Sequence, residues 1–222
     1  MNQIHFYLQI IIIIIKIKIN FRLHEHIYEK ETVVLILEVE DEGRWFSNIR
    51  PNGFYLARPV VESEYTVSTY CLKTHQYGGV FTLSLKLAVG LTPKTLMREL
   101  HQSPDMRKMI AELNGCYKPQ LLVLDGIEAF VDGGPMEGTR KNADVFIAGT
   151  DRVAMDAVGV AVLKELGSNE AIMGRKIFEQ EQIKRAVELK LGVNRPEFIE
   201  FITPDESSRE YAEKIRSILL KG

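Results

Sequence analysis

The chain has 222 residues, 26% of them charged, and its 28 Lys and Arg nearly balance its 30 Asp and Glu, for a formal net charge of −2. This length suits one large or two small domains with a buried core. A net charge this close to zero gives no overall positive field, so the composition does not indicate a nucleic-acid-binding protein. A local basic site is still compatible with this composition. The two cysteines, Cys71 and Cys116, lack CxxC spacing and cannot by themselves hold a zinc ion or an iron–sulfur cluster. We expect a reduced, cytoplasmic protein.

The first 42 residues differ in composition from the rest of the chain. They contain no Gly, Ala or Pro, and six consecutive isoleucines fill positions 10–15. This apolar run is shorter than the roughly 20 residues that a membrane-spanning helix needs, and it lacks the small-residue cleavage site of a secretory signal. We interpret residues 1–42 as a low-complexity leader that is not native to the fold, followed by an α/β domain over residues 43–222. No membrane partner is expected.

Extended segments dominate the chain up to residue 90. Strands are predicted over residues 32–39, 54–61 and 66–72. Residues 80–89 allow two interpretations. Leu83 and Leu85 alternate with polar residues, as in a strand, whereas a helix would place Thr82 and Lys86 on one face. Strand and helix both remain open for this segment.

The second half of the chain alternates strands with helices. Helices are predicted over residues 93–100, 104–114, 152–166, 178–189 and 206–220, and strands over residues 121–124, 144–148 and 198–202. The short apolar runs 121–124 and 144–148 are typical of strands that are buried on both faces. This alternation predicts a layered α/β fold with a mostly parallel sheet flanked by helices.

Three cationic side chains lie close together in the sequence. Lys73 and His75 follow the strand predicted over residues 66–72, and Lys86 comes after a glycine pair. These groups can bind a phosphate or a carboxylate, with the glycines exposing backbone N–H groups to the anion. His75 can also act as an acid or a base, because its unperturbed pKa is about 6.5. The alternative is that both lysines are solvated and His75 caps a turn.

Two carboxylates each follow a predicted strand, Asp125 and Asp151. In open α/β sheets, ligands bind outside the carboxyl ends of the strands, so we expect these carboxylates to share a pocket with the cationic groups. Asp125 would act there as a base or, with Asp151, hold a divalent metal such as Mg²⁺. The alternative is that Asp151 caps a helix and that Arg152 and Asp156 form an ordinary surface ion pair.

A glycine-rich loop lies between the strands predicted over residues 121–124 and 144–148. It contains Gly133, Gly134 and Gly138, but it has neither a P-loop nor a dinucleotide-binding fingerprint. Glycines allow the backbone to approach a ligand closely, or they form a tight turn. We include these three glycines among the candidate ligand-binding residues.

Five motifs follow one another in this chain. They are Cys71-Leu-Lys-Thr-His75, Thr82-Leu-Ser-Leu-Lys86, Leu124-Asp-Gly126, Gly133-Gly-Pro135-x-x-Gly138 and the run from Ala148 to Gly159. As an ordered set they resemble family 362 of the domains of unknown function. The resemblance covers the chain from about Trp45 to Pro204.

The resemblance carries two implications. Some members of the family contain ferredoxin-type cysteine clusters, which implies a link to iron–sulfur redox chemistry and a separate ferredoxin-type partner for this chain. Members usually begin with an α/β segment of their own, and here the isoleucine-rich leader stands in that place. The chain therefore resembles the carboxyl-terminal two-thirds of a family member, with the amino-terminal part truncated.

Two classes of function are compatible with the sequence. The first is an enzyme-like domain that binds a small anionic molecule, with or without a divalent metal, in a pocket at the strand ends. The second is a non-catalytic accessory module that docks an iron–sulfur protein, and an inactive fragment is a third alternative. A bound anion near His75 would favour the first class, and a large apolar surface patch the second.

Overall fold

The computed structural model describes residues 10–16, 34–36, 53–57, 60 and 62–222. The strands are β1 (Ile10–Lys16), β2 (Val34–Ile36), β3 (Tyr55–Ala57), β4 (Val67–His75), β5 (Val80–Thr82), β6 (Leu121–Gly133), β7 (Gly138–Gly149) and β8 (Ile199–Ile202). Among these described residues, six strands form one sheet in the order β5–β4–β6–β7–β1–β8, and β2 pairs with β3 in a separate ribbon.

The main sheet is mixed. β4 runs parallel to β6, and β1 runs parallel to β8, whereas β5 and β7 run antiparallel to their neighbours. Within the described sheet, four strands therefore point one way and two point the other. The predicted α/β class with a mostly parallel sheet is confirmed, because four of the six described strands share one direction.

Helices pack against this sheet. They are α1 (Ser84–Leu87), α2 (Lys94–Gln102), α3 (Met106–Leu113), α4 (Arg152–Glu165), α5 (Glu170–Met173), α6 (Glu181–Glu188) and α7 (Glu206–Lys221). Every residue of α4 from Arg152 to Leu163 is buried, because this helix packs between the sheet and the other helices. In the part of the chain that the structure describes, no helix is long and apolar enough to cross a membrane.

The two predicted strands 121–124 and 144–148 are parts of one long hairpin, β6 and β7. Leu122 and Leu124 are fully buried while the side chains between them are partly exposed. The prediction that these strands are buried on both faces is therefore wrong. The turn after Gly133 makes β7 antiparallel to β6, and antiparallel sheets commonly pack one face on the core and leave the other face to solvent.

The ambiguous segment after β5 is helical. Ser84–Leu87 forms the short helix α1, and Ala88–Leu91 continues as a 3₁₀ turn. Leu83, Leu85, Lys86, Ala88 and Val89 are all buried, so the segment has more than one buried face. The alternation of polar and apolar residues is misleading here, since Ser84 and Lys86 are buried as well.

The isoleucine run forms part of the sheet. Ile10–Lys16 pairs antiparallel with β7 and parallel with β8, and Ile12 lies opposite both Gly149 and Phe201. A β-branched run of this kind pairs readily with neighbouring strands, and the assignment of residues 1–42 to a leader stays a prediction. Val34–Ile36, within the predicted strand 32–39, pairs with β3, and the rest of residues 1–42 lies outside the described residues.

Candidate functional site

Lys86 and His75 meet at the carboxyl end of β4. His75 is the last residue of β4, and Lys86 lies on α1, which follows the adjacent strand β5. The Lys86 Nζ atom lies 3.2 Å from His75 Nε2. Each of the two residues is only 7% exposed. The structure therefore brings these two candidate residues into direct contact beneath the surface.

Burial and neighbouring positive charge lower the pKa of both groups. Burial lowers the pKa of His75 to about 3, and the charges of Lys86, His101 and Lys73 act in the same direction. Burial lowers the pKa of Lys86 to about 8, and Lys73 adds to the effect. At neutral pH the imidazole is thus uncharged and accepts a hydrogen bond from the Lys86 ammonium group.

This hydrogen bond determines which ring nitrogen of His75 carries the proton. Because Nε2 accepts, the neutral ring carries its hydrogen on Nδ1. In the described part of the chain, Nδ1 is buried and has no hydrogen-bond partner. A buried donor of this kind is costly unless an acceptor reaches it. The site therefore offers one unsatisfied N–H group beside an ammonium group.

A glycine turn covers the two side chains. A Cβ atom at Gly79 would lie 2.6 Å from Lys86 Cε and 3.2 Å from His75 Nδ1. Tyr77 stands edge-on to the His75 ring, with 5.7 Å between the ring centroids, and the His101 ring lies 6.0 Å away. The Gly79 backbone thus packs closely against the place where the two side chains meet, and no larger residue fits there unless Lys86 moves.

Buried polar groups hold α1 in place. Leu85 N–H donates to Asp156 Oδ1 at 3.3 Å, and Asn114 Nδ2 donates to Leu85 O at 2.7 Å. Arg152 Nη1 in turn donates to Asn114 Oδ1 at 3.1 Å. All of these side chains are buried. The backbone next to Lys86 is therefore fixed from both sides, which positions the amine.

The glycine-rich loop packs against the carboxyl end of β4. Thr74 Oγ1 lies 3.2 Å from Phe130 O and 3.1 Å from Gly133 O, and Gln76 N–H donates to Gly134 O at 3.1 Å. A Cβ atom on Gly134 would overlap the Thr74 carbonyl oxygen. The loop thus supports the strand end that carries His75.

The same loop closes the β6–β7 hairpin. Gly133 and Gly134 have φ values of +74° and +71°, a region that suits glycine. A Cβ atom on Gly138 would overlap the carbonyl oxygen of Asp132. Turn geometry and close packing explain all three glycines, and ligand contact by them stays a prediction.

Asp125 lies within β6 and not at its end. It is opposite Cys71 of β4, and its Oδ1 accepts a hydrogen bond from Ile127 N–H at 3.0 Å. Burial and then Asp125 raise the pKa of Cys71, whereas Lys73 lowers it. Asp125 therefore belongs to the same side of the sheet as Cys71 and Lys73. The prediction that Asp125 follows the end of a strand is wrong, because β6 continues for eight further residues, to Gly133.

Asp151 lies at the opposite end of the sheet. Gly149, at the end of β7, is paired with Leu122 near the start of β6. Asp151 caps α4 through Ala154 N–H at 2.8 Å, and it also accepts from Val193 N–H at 2.9 Å. The expectation that Asp151 shares a pocket with His75 is wrong, because β7 is antiparallel. Among the described residues, no group of three or more His, Cys, Asp or Glu is placed to hold a metal.

Sequence reasoning missed the importance of Asp156. The alternative interpretation of Arg152 and Asp156 as a surface ion pair is wrong, because both are buried. Burial raises the pKa of Asp156 to about 7, although its hydrogen bonds with Leu85 and Gln182 lower it. One signal was available, since residues Arg152–Leu163 of α4 are apolar on every side of the helix apart from these two residues.

No curated protein matches the chain, and no solved structure matches it. The sequence profile of one family, described as a domain of unknown function (DUF362), matches residues 24–161, which is more than half of the chain. That segment contains β4, α1 and the Lys86–His75 contact. The protein belongs to the DUF362 family.

Proposed function

We propose that the Lys86–His75 pair binds a small oxyanion, either a carboxylate or a phosphate. The observation that carries this proposal is a buried ammonium group whose described contact is a neutral imidazole and not a carboxylate. Buried charges in proteins are normally paired. Within the described residues Lys86 takes part in no ion pair with Asp or Glu. An anionic ligand would supply the missing partner.

The donors around the pair suit an oxyanion. Lys86 has further N–H groups besides the one directed at His75 Nε2, and His75 Nδ1–H has no partner in the described structure. Lys73 adds positive charge from β4, as its effect on both pKa values shows. Charge-assisted hydrogen bonds of this kind are roughly twice as strong as neutral ones. The ligand class that we propose is therefore a small monoanion or dianion.

The Lys86→Met substitution tests this proposal. It removes the ammonium group but keeps an apolar chain of similar length, so we expect phosphate affinity at pH 7 to fall by roughly 10- to 100-fold. Isothermal titration calorimetry with inorganic phosphate and with acetate measures the loss. The free energy of unfolding without phosphate should stay equal or rise, because an unpaired buried charge is removed.

The control for this experiment is Lys94→Met, which alters an exposed lysine at the start of α2. It should leave phosphate affinity unchanged. For the wild type, affinity should also decline as the pH rises above about 8, since the Lys86 ammonium group loses its proton there. Equal phosphate affinity in wild type and Lys86→Met would refute the proposal.

The Gly79→Ala substitution tests the same site by changing the turn that covers Lys86 and not Lys86 itself. The new methyl group would displace the flexible end of Lys86 and break its contact with His75. We expect phosphate affinity to fall roughly 10-fold, the equivalent of one hydrogen bond. Stability should change by less than about 1 kcal/mol, because a lysine side chain can move at little cost. Chemical denaturation and calorimetry measure the two quantities.

Gly90→Ala is the matched control, because a Cβ atom at Gly90 meets nothing within 4 Å. That variant should keep both affinity and stability. If Gly79→Ala bound phosphate as tightly as Gly90→Ala does, the anion would have to sit away from the Lys86–His75 contact.

A further inference from the structure

We propose that the Lys86 amine forms an imine with the carbonyl carbon of a small 2-oxo carboxylate. The inference rests on the proposed function, because His75 Nδ1–H and the positive charge of Lys73 would hold the carboxylate group of the ligand while Lys86 attacks the adjacent carbonyl. It adds a substrate class and a covalent step to that function. The protein would therefore recognise a molecule that carries a carbonyl group directly beside its carboxylate.

The geometry around Lys86 supports this chemistry. An amine that attacks a carbonyl must first lose its proton. The pKa of Lys86 is lowered to about 8 by burial, so a large share of this amine is neutral at pH 8. His75 Nε2 lies 3.2 Å from the amine, where it can relay a proton between the nitrogen and a bound substrate. In the described structure no carboxylate pairs with Lys86 and holds it in the ammonium form. The surrounding positive charge favours the neutral amine in the same way.

The site lies beneath an exposed turn, and a small molecule would reach it by displacing that turn. Gln76, Tyr77 and Gly78 in the covering turn are exposed, whereas Gly79, His75 and Lys86 beneath them are buried. Substrate contact with bulk water is thereby reduced. Desolvation of an amine is a known way to make a lysine nucleophilic.

The reaction balances without an oxidant or a reductant. Lys86 first loses the proton of its ammonium form to solvent. The neutral nitrogen then forms a bond to the carbonyl carbon, the carbonyl π electrons move to oxygen, and one proton passes from nitrogen to oxygen through His75. The second proton of the nitrogen passes to the hydroxyl group by the same route, and this group leaves as water when the C=N bond forms. The net reaction is amine plus carbonyl giving imine plus water.

Reductive trapping tests the inference. The full-length protein is incubated with glyoxylate and sodium cyanoborohydride at pH 8, and peptide mapping by mass spectrometry locates the reduced adduct. We expect one dominant adduct on Lys86, suppressed by inorganic phosphate and much weaker with acetone, which lacks a carboxylate. The His75→Gln variant should label about 100-fold more slowly, the size of one acid–base contribution.

The Lys86→Arg variant separates this inference from the proposed function. Arginine keeps the positive charge but has no amine for imine formation, so phosphate binding should persist while the adduct disappears. Phosphate binding without any adduct in the wild type would overturn the imine step alone. A Lys86 adduct without phosphate binding would overturn the anion site, and labelling spread evenly over many lysines, or centred on Lys73, would overturn the assignment to Lys86.

Discussion

The Asp156→Ala substitution is expected to lower the free energy of unfolding by about 2–5 kcal/mol. Asp156 is completely buried, and its carboxylate accepts hydrogen bonds from Leu85 N–H and Gln182 Nε2. Alanine would leave both donors buried and unsatisfied, and it would remove the negative charge that acts on the buried Arg152. Because Leu85 N–H positions α1, the anion site should weaken together with the fold.

The Asp156→Asn substitution is expected to behave differently and to depend on pH. Burial raises the pKa of Asp156 from 3.8 to about 7, so the folded protein binds this proton more tightly than the unfolded chain does. The stabilising contribution of the protonated carboxyl is complete below about pH 4, and it is lost as the pH rises to about 7. Asparagine resembles the protonated form at every pH, and its amide can donate to Gln182 Oε1, which lacks a partner in the described structure.

Chemical denaturation of wild type and both Asp156 variants at pH 4.5 and pH 8 measures these effects. The stability of Asp156→Asn relative to wild type should improve with pH, and the pKa difference sets an upper limit of about 4 kcal/mol on that improvement. Asp156→Ala should stay the least stable protein at both values. A stability difference between wild type and Asp156→Asn that did not vary with pH would contradict this account.

The Gly134→Ala substitution is expected to destabilise the protein by about 2–4 kcal/mol. Gly134 has φ +71°, and a Cβ atom there would overlap the backbone carbonyl of Thr74. The added Cβ atom and the carbonyl oxygen are both fixed to the backbone, so the overlap can be removed only if the hairpin moves away from β4. The hydrogen bond from Gln76 N–H to Gly134 O would weaken at the same time.

Thermal or chemical denaturation of Gly134→Ala beside Gly90→Ala tests this expectation. The Gly90 site is open and lies in a helical turn, so that variant should shift stability by less than about 1 kcal/mol. Equal stability of the two variants would mean that the hairpin turn does not hold the end of β4. The roles of Gly133, Gly134 and Gly138 would then have to be sought in ligand contact.

Local patterns predicted most of the helices and the family. The predicted helices at 152–166 and 206–220 match α4 and α7 within one residue, because caps and apolar spacing are local signals. The family resemblance is confirmed by the profile match. Lys73, His75 and Lys86 were selected from a strand end and a nearby cation. The structure places Lys86 in contact with His75, and Lys73 is near enough for its charge to lower the pKa of both.

Strand direction and burial were not predictable from local patterns. Asp125 and Asp151 were placed at one sheet edge on the assumption that successive strands are parallel, and the β6–β7 hairpin reverses that assumption. The burial of Asp156 depends on packing between α4, α1 and α6. These helices are far apart in the sequence, so no short stretch of the chain reveals their contact. The pairing of Ile10–Lys16 likewise depends on strands far away in the sequence.

The position of β1 has a consequence for how the protein folds during synthesis. β1 pairs with β7 on one side and with β8 on the other, and Ile10 lies opposite Ile199. The ribosome delivers this isoleucine strand long before either partner, and contacts so distant in sequence form slowly. In that interval both edges of a strongly β-forming segment are unpaired and prone to aggregate. A chaperone that shields this segment until residues near 200 emerge would therefore raise the yield of folded protein.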